Sequence, residues 1–230
     1  MSIGADPEWR LGELAEADAD IFAFMEMTMG YVWRRHLLGA IGHRLSVDKT
    51  EQGQAVVFAD LTGFSRFTKQ ATAEEISRVI DTFEAVSFDV VSGHEGRVVK
   101  LIGDEVLFVV DTLNAAIAAG LELIARLADA YNVPLVHCGV AFGPTVTVGG
   151  DVFGPTVNLA SRLTKVARSG SIAVPRSGNE YLLDRDDIDV RKVHRSYDLK
   201  GIGRTSILAV RPLAHDSDED ATPERKADAT

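Results

Sequence analysis

The run Ala55-Val-Val-Phe-Ala-Asp-Leu61 constrains this chain more than any other stretch. Six apolar residues broken by one acid are too short for a buried helix and lack the alternation of a surface strand. The run therefore reads as a strand covered on both faces. Its acid, Asp60, falls where a central strand leaves its sheet. Downstream, Ile76, Val79, Ile80, Phe83, Val86 and Val90 form a helical stripe over 73–91. Segments 97–102 and 106–111 flank Gly103-Asp104, a hairpin signal. A second helix is expected over 114–131, with strands over 134–142 and 145–148. Residues 151–158 begin as a loop and enter a helix reaching about 166; a strand over 171–174 and a short helix over 177–182 follow. Strands over 190–197 and 206–211 close the series. The order β-α-β-β-α-β predicts an α+β fold: a ferredoxin-like core of mainly antiparallel sheet, both helices on one face, with C-terminal additions.

The ends read differently. Residues 1–47 form an N-terminal segment whose apolar positions from Ile21 to Leu45 are spaced as in a helix, a regulatory or linker stub. Residues 48–213 form the main domain. Residues 214–230 carry six acids, two bases and no long apolar side chain, so an acidic disordered tail is expected. Across 230 residues, 46% hydrophobic and 25% charged, one sizeable core can be built. The formal charge of −10 repels polyphosphate, which disfavours a nucleic-acid scaffold. Cys138 is the sole cysteine, excluding an intrachain disulfide. No 18-residue apolar run or basic-then-apolar leader is present, so a cytoplasmic protein with no membrane partner is expected.

Two acids sit at strand ends. Asp60 closes the central strand and Asp104 lies at the hairpin tip; in a β-α-β-β unit these are neighbours, so both carboxylates can reach one point. Divalent metal relieves their repulsion, and Mg²⁺ suits an all-oxygen site shared with phosphate. From spacing alone, a helix cap at Asp60 and a plain turn at Asp104 remain open. Backbone N–H groups of the turn Leu61-Thr62-Gly63-Phe64 are placed to face phosphate oxygens. Asn158 and Arg162 lie four apart on one helix side, where arginine can counter phosphoryl charge and asparagine can hold a ribose oxygen. A solvated polar pair is the plainer reading of the same spacing. Lys100, in an apolar strand, and Asp151, after two glycines, supply a donor and an acceptor. Adenine accepts at N1 and donates from N6, so such a pair matches it, whereas guanine needs the reverse.

The fragments VVFADLTGF (56–64), VVKLIGDEVLFVV (98–110), CGVAFGPTVTVGG (138–150) and DVFGPTVNLASRL (151–163) together resemble the class III nucleotidyl cyclase catalytic domain, including soluble actinobacterial adenylate cyclases. The resemblance runs from about Gln54 to Arg211. It implies conversion of ATP to 3′,5′-cyclic AMP and pyrophosphate with two divalent cations per site, Mg²⁺ or Mn²⁺. It makes Asp60 and Asp104 metal ligands, with the Leu61 carbonyl as a further donor. It makes Lys100 and Asp151 the adenine-reading pair, Asn158 the ribose-orienting residue and Arg162 the stabiliser of the pentavalent phosphate. It implies a head-to-tail homodimer with two shared sites, metal aspartates from one chain and the other four residues from its mate. Tyr31-Val-Trp-Arg-Arg-His-Leu-Leu resembles the end of a regulatory domain, which implies such a domain upstream in a longer form.

Two departures stand out. Where many members carry Lys-Gly-Lys-Gly, this chain reads Lys200-Gly201-Ile202-Gly203-Arg204, leaving Lys200 or Arg204 as the phosphate contact. The dimer arm before Asp151 is about ten residues shorter than is common in the family. Guanylate cyclase, a catalytically weak nucleotide-binding or interaction module, and a palm-type polymerase or diguanylate-forming domain are the other readings. The Asn158/Arg162 helix does not fit the last.

Overall fold

A computed structural model describes residues 53–177 and 179–213. The expected N-terminal helix and acidic tail lie outside the described residues. The central strand β1 (Gln54–Leu61) is followed by one short turn of helix, α1 (Phe64–Phe67), then α2 (Ala73–Gly93). Thr72 caps α2 in a reciprocal arrangement with Glu75, satisfying donors that the helix start leaves open. The hairpin β2 (Arg97–Ile102) and β3 (Glu105–Val110) precedes α3 (Leu113–Ala128) and β4 (Val136–Gly143). Next come β5 (Val146–Val148), β6 (Asp151–Phe153), α4 (Pro155–Thr164) and β7 (Ile172–Pro175). A 3-10 turn over Glu180–Asp184, then β8 (Asp189–Lys192), β9 (Tyr197–Leu199), β10 (Gly203–Thr205) and β11 (Ile207–Arg211) complete the described chain.

Seven strands form one sheet in the order β2-β3-β1-β4-β7-β11-β8. Its first four strands are antiparallel neighbours in the ferredoxin-like arrangement, and β7, β11 and β8 extend it beyond the single parallel β4–β7 pair. Side chains alternate along β1. Ala55, Val57, Ala59 and Leu61 join the core beneath α2 and α3, while Val56 and Phe58 join a second core beneath α4. Burial from both sides explains the nearly unbroken apolar run.

The structure corrects the expected elements at two places and adds a layer at a third. Asp151 opens a strand rather than a loop, because β6 pairs with β5 as a two-stranded ribbon. The strand expected over 190–197 ends at Lys192; residues 197–205 turn off as the separate β9–β10 hairpin. α4 covers the sheet face opposite α2 and α3, so the second face is not left bare. Its approach depends on Gly139 of β4, where a Cβ would collide with Ala160 O and Thr164 N of the α4 backbone. No helix among the described residues is long and apolar enough to cross a membrane.

Candidate active site

Asp60 continues the Val56–Phe58 series and so projects on the α4 side of the sheet. Across the ladder it stands opposite Glu105 of β3 and His137 of β4. Asp104 occupies the β2–β3 turn, and its carbonyl accepts from Leu61 N at 3.1 Å, locking that turn onto the end of β1. Burial, followed by the charges of Asp104 and Glu105, pushes the Asp60 pKa up to about 6 from an ordinary 3.8. Asp104 therefore lies close enough to Asp60 to act on its ionisation, as the two strand ends lead one to expect.

Glu105 and His137 beside this pair, and Ser169 beside Thr62, are residues to which the sequence assigned no role. Glu105 is half-buried; burial raises its pKa, and the charge of Lys165 beyond α4 acts in the opposite direction. His137 Nε2 lies 3.5 Å from Asp60 Oδ2, but burial lowers the imidazole's pKa, so the ring is a neutral neighbour more than a counter-ion. His137 Nδ1 meets Thr62 Oγ1 at 2.9 Å, and Ser169 Oγ donates to the same hydroxyl at 2.9 Å. The outward alternation of β4 was the available signal for His137; the long-range closure by Ser169 had none.

No three His, Cys, Asp or Glu side chains converge as a complete metal cage among the described residues. Two carboxylates and a backbone carbonyl at Leu61 do fit a hard cation that takes its other oxygens from water and phosphate. Burial first, and then the charges of Asp104 and Glu105, raise the Asp60 pKa, and a cation held there would oppose both effects. Gly63, exposed and left-handed at φ 73°, starts α1, and its carbonyl accepts from Arg66 N and Phe67 N. Thr62 N donates to Leu135 O at 2.7 Å, so this amide is committed to the fold and does not face outward as expected.

Lys100 and Asp151 meet. Nζ donates to Oδ2 at 2.6 Å, with each side chain about three-quarters and two-thirds covered, at 26% and 32% exposure. A bulge makes this possible. Arg97 pairs with Val109, Val98 with Phe108 and Lys100 with Leu107, leaving Val99 as an extra residue that returns Lys100 to the side of Arg97. Arg97 Nη1 then donates to Gly150 O at 2.8 Å, while Asp151 Oδ1 accepts from Val152 N at 2.8 Å. Both anchors hold the β5–β6 ribbon, whose Gly149-Gly150 turn has positive φ at both residues.

On α4, Asn158 is exposed and Arg162 partly so, and neither makes a side-chain hydrogen bond or ion pair among the described residues. The helix fastens itself by its other faces: Thr156 Oγ1 donates to Pro144 O at 2.7 Å, and Leu163 is fully buried. Two polar side chains are thus presented outward on a helix fixed from behind. Lys200 and Arg204 are exposed in the β9–β10 hairpin, on either side of a 40% exposed Ile202.

Residues 47–210 match the family model described as the adenylate and guanylate cyclase catalytic domain. The chain is 40% identical to the adenylate cyclase of Streptomyces coelicolor over 161 residues, 68% of this chain and 42% of that protein. It is 39% identical to the adenylate cyclase of Streptomyces griseus over 148 residues, 63% of this chain and 37% of that protein. It therefore spans less than half the length of these relatives. Its fold is similar to the catalytic core of a rhodopsin-guanylyl cyclase with converted specificity in complex with ATPalphaS, with a TM-score of 0.62 at 20% identity over 70% of this chain and 95% of that one. The chain belongs to the class III nucleotidyl cyclases, as a catalytic domain of that family.

Proposed function

We propose that this domain is an adenylate cyclase, converting ATP to 3′,5′-cyclic AMP and pyrophosphate. The observation that carries the choice of base is the Lys100–Asp151 contact at 2.6 Å, a donor and an acceptor side by side. An adenine edge inserted between them receives a hydrogen bond at N1 and gives one from N6. Guanine presents the opposite pattern, so it leaves both partners unmatched in a partly covered site, a loss of roughly 1–3 kcal/mol for each. Two relatives named adenylate cyclase support the same reading.

The active unit in this reading is a head-to-tail homodimer. Asp60 and Asp104 of one chain face Lys100, Asp151, Asn158 and Arg162 of the other, giving two equivalent sites. Asp60, Asp104 and the Leu61 carbonyl hold two divalent cations, Mg²⁺ or Mn²⁺, with help from the triphosphate. When bound there, such cations would supply a lowered pKa at the ribose 3′-hydroxyl and positive charge for the departing pyrophosphate. Asn158 orients the ribose so that O3′ lies in line with the α-phosphorus. Arg162 donates to the α-phosphoryl oxygens, where charge grows as O3′ bonds to phosphorus and the bond to the β-phosphate bridge breaks. The Gly63 and Phe64 amides at the start of α1 border the phosphates, and Lys200 or Arg204 replaces the contact missing at Ile202.

Incubation of the protein with ATP and Mn²⁺, followed by chromatography, tests the reading. Cyclic AMP and pyrophosphate in equal amounts are expected, with GTP turned over far more slowly. ATP binding without product would identify a nucleotide-binding module, and faster GTP turnover would identify a guanylate cyclase.

A further inference from the structure

The α4 side of the sheet holds a second hollow, away from the paired carboxylates. Ala173 of β7 and Ala209 of β11 are cross-strand neighbours, and Arg191 of β8 continues the row. Two adjacent methyl groups leave unfilled the space that larger side chains occupy elsewhere on this face. The segment after α4 and the connection from β8 to β9 wall the gap, leaving a cavity of about 370 Å³. That volume is within the range of small-molecule sites.

The floor of the cavity is apolar, formed by Ala173, Ile207 and Ala209. Arg168, Lys192, Arg195 and Arg211 line its walls beside the His194 ring, and no aspartate or glutamate among the described residues lines it, although Asp189 stands opposite Arg211 on the adjacent strand. Arg191 also contributes but is held by Asp189 at 3.0 Å, and Arg195 lies 5.5 Å over the Tyr197 ring. Arg168, Lys192 and Arg211 have no side-chain hydrogen bond or ion pair among the described residues. Arg168 and Lys192 are exposed and Arg211 is partly so, and three like charges bordering one hollow favour an anion between them. The concentration is notable in a chain of net charge −10. An inorganic anion would satisfy the walls and leave the floor wet; a hydrocarbon would do the reverse.

We propose that this cavity is a binding site for a small phosphate monoester with an apolar body. Arg168, Lys192 and Arg211 hold the dianionic headgroup, with guanidinium forks suited to phosphate oxygens. The apolar body rests on Ala173 and Ala209. Neither metal nor nucleotide is needed, so the site stands apart from the cyclase reading.

Isothermal titration calorimetry on the full chain, without divalent metal or nucleotide, provides the test. Phenyl phosphate should bind at least about tenfold tighter than inorganic phosphate, and phenol should not bind. Ala209→Leu, which fills the floor, and Arg211→Glu, which reverses a wall charge at the surface, should each weaken phenyl phosphate by about tenfold or more. Cyclase activity should be unchanged in both variants, and Arg162→Ala should bind phenyl phosphate as the parent does. Equal affinity for phenyl phosphate and inorganic phosphate would overturn the proposal, as would indifference to Arg211→Glu. Binding that appears only after Asp216, Asp218, Glu219 and Asp220 are changed to their amides would show the chain's own C-terminal segment to be the occupant, and would overturn it too.

Discussion

Lys100 and Asp151 lie 51 residues apart in sequence, yet their charged ends touch at 2.6 Å across the gap between the β2–β3 hairpin and the β5–β6 ribbon. In the adenylate cyclase reading this contact sets base choice. Replacing both partners, Lys100→Glu with Asp151→Ser, reverses the donor and acceptor positions. The ratio of kcat/KM for ATP over GTP should fall by about 100-fold or more, since two hydrogen-bond mismatches of roughly 1–3 kcal/mol each change sides. Steady-state assays with both nucleotides check it. An unchanged ratio would remove the pair from base recognition.

Asp60 predicts a pH-dependent cost to the metal-free fold. Its pKa is about 6 when folded and near 3.8 otherwise, so between these values the folded chain holds a proton that the unfolded chain has released. Stability therefore falls as pH rises from about 4 to about 6 and remains lower above that. The full shift corresponds to at most about 3 kcal/mol, and partial exposure reduces this to about 1–2 kcal/mol. Asp60→Asn should accordingly melt higher than the parent at pH 7.5 without metal, by a few degrees, and lose that advantage at pH 4. Mn²⁺ should raise the melting temperature of the parent and leave the variant unmoved. Thermal denaturation at the two pH values reads all three effects.

The proposed shared-site arrangement gives a mixing experiment. Asp60→Ala and Arg162→Ala chains should each be inactive alone. Equal mixing with free exchange makes about half the dimers mixed, each with one intact site, so about a quarter of parental activity should return. Silence after exchange confirmed by mass spectrometry would mean that both residues act on the same chain's substrate.

Gly139 should be the most sensitive position outside the catalytic residues. A side chain there meets the backbone of α4 at Ala160 and Thr164, not a movable side-chain end. Gly139→Val should destabilise the fold by about 2–4 kcal/mol and lower kcat, because α4 must back away with Asn158 and Arg162 upon it. Urea unfolding and turnover at saturating ATP measure the two effects.

Much of this architecture was legible in the chain. The apolar run before Asp60 announced a strand buried on both faces, and the Gly103-Asp104 turn placed the second carboxylate beside the first. Periodicity located α2 and α3, though it did not say that α4 would cover the opposite face. Lys100 shows where pattern reading stops. Strict alternation counted from Arg97 turns its side chain toward α2 and α3; the extra residue Val99 turns it back, and no local composition marks that bulge. His137 and Ser169 were hidden for a related reason, since their contacts with Thr62 join strand ends and loops 75 and 107 residues apart. The three-residue strands β9 and β10 are too short to show a period at all.

The Gly149-Gly150 reversal turns the β5–β6 ribbon into a ruler of fixed length. Val148 stands directly opposite Asp151, with nothing between them but two residues that only glycine accommodates easily. One inserted residue would rotate the carboxylate to the far side of the ribbon, out of reach of the ammonium it now meets. Most surface loops tolerate gradual lengthening; this one admits changes only in steps that preserve parity, so in the adenylate cyclase reading drift in its length is coupled to which letter of the nucleotide alphabet can be read.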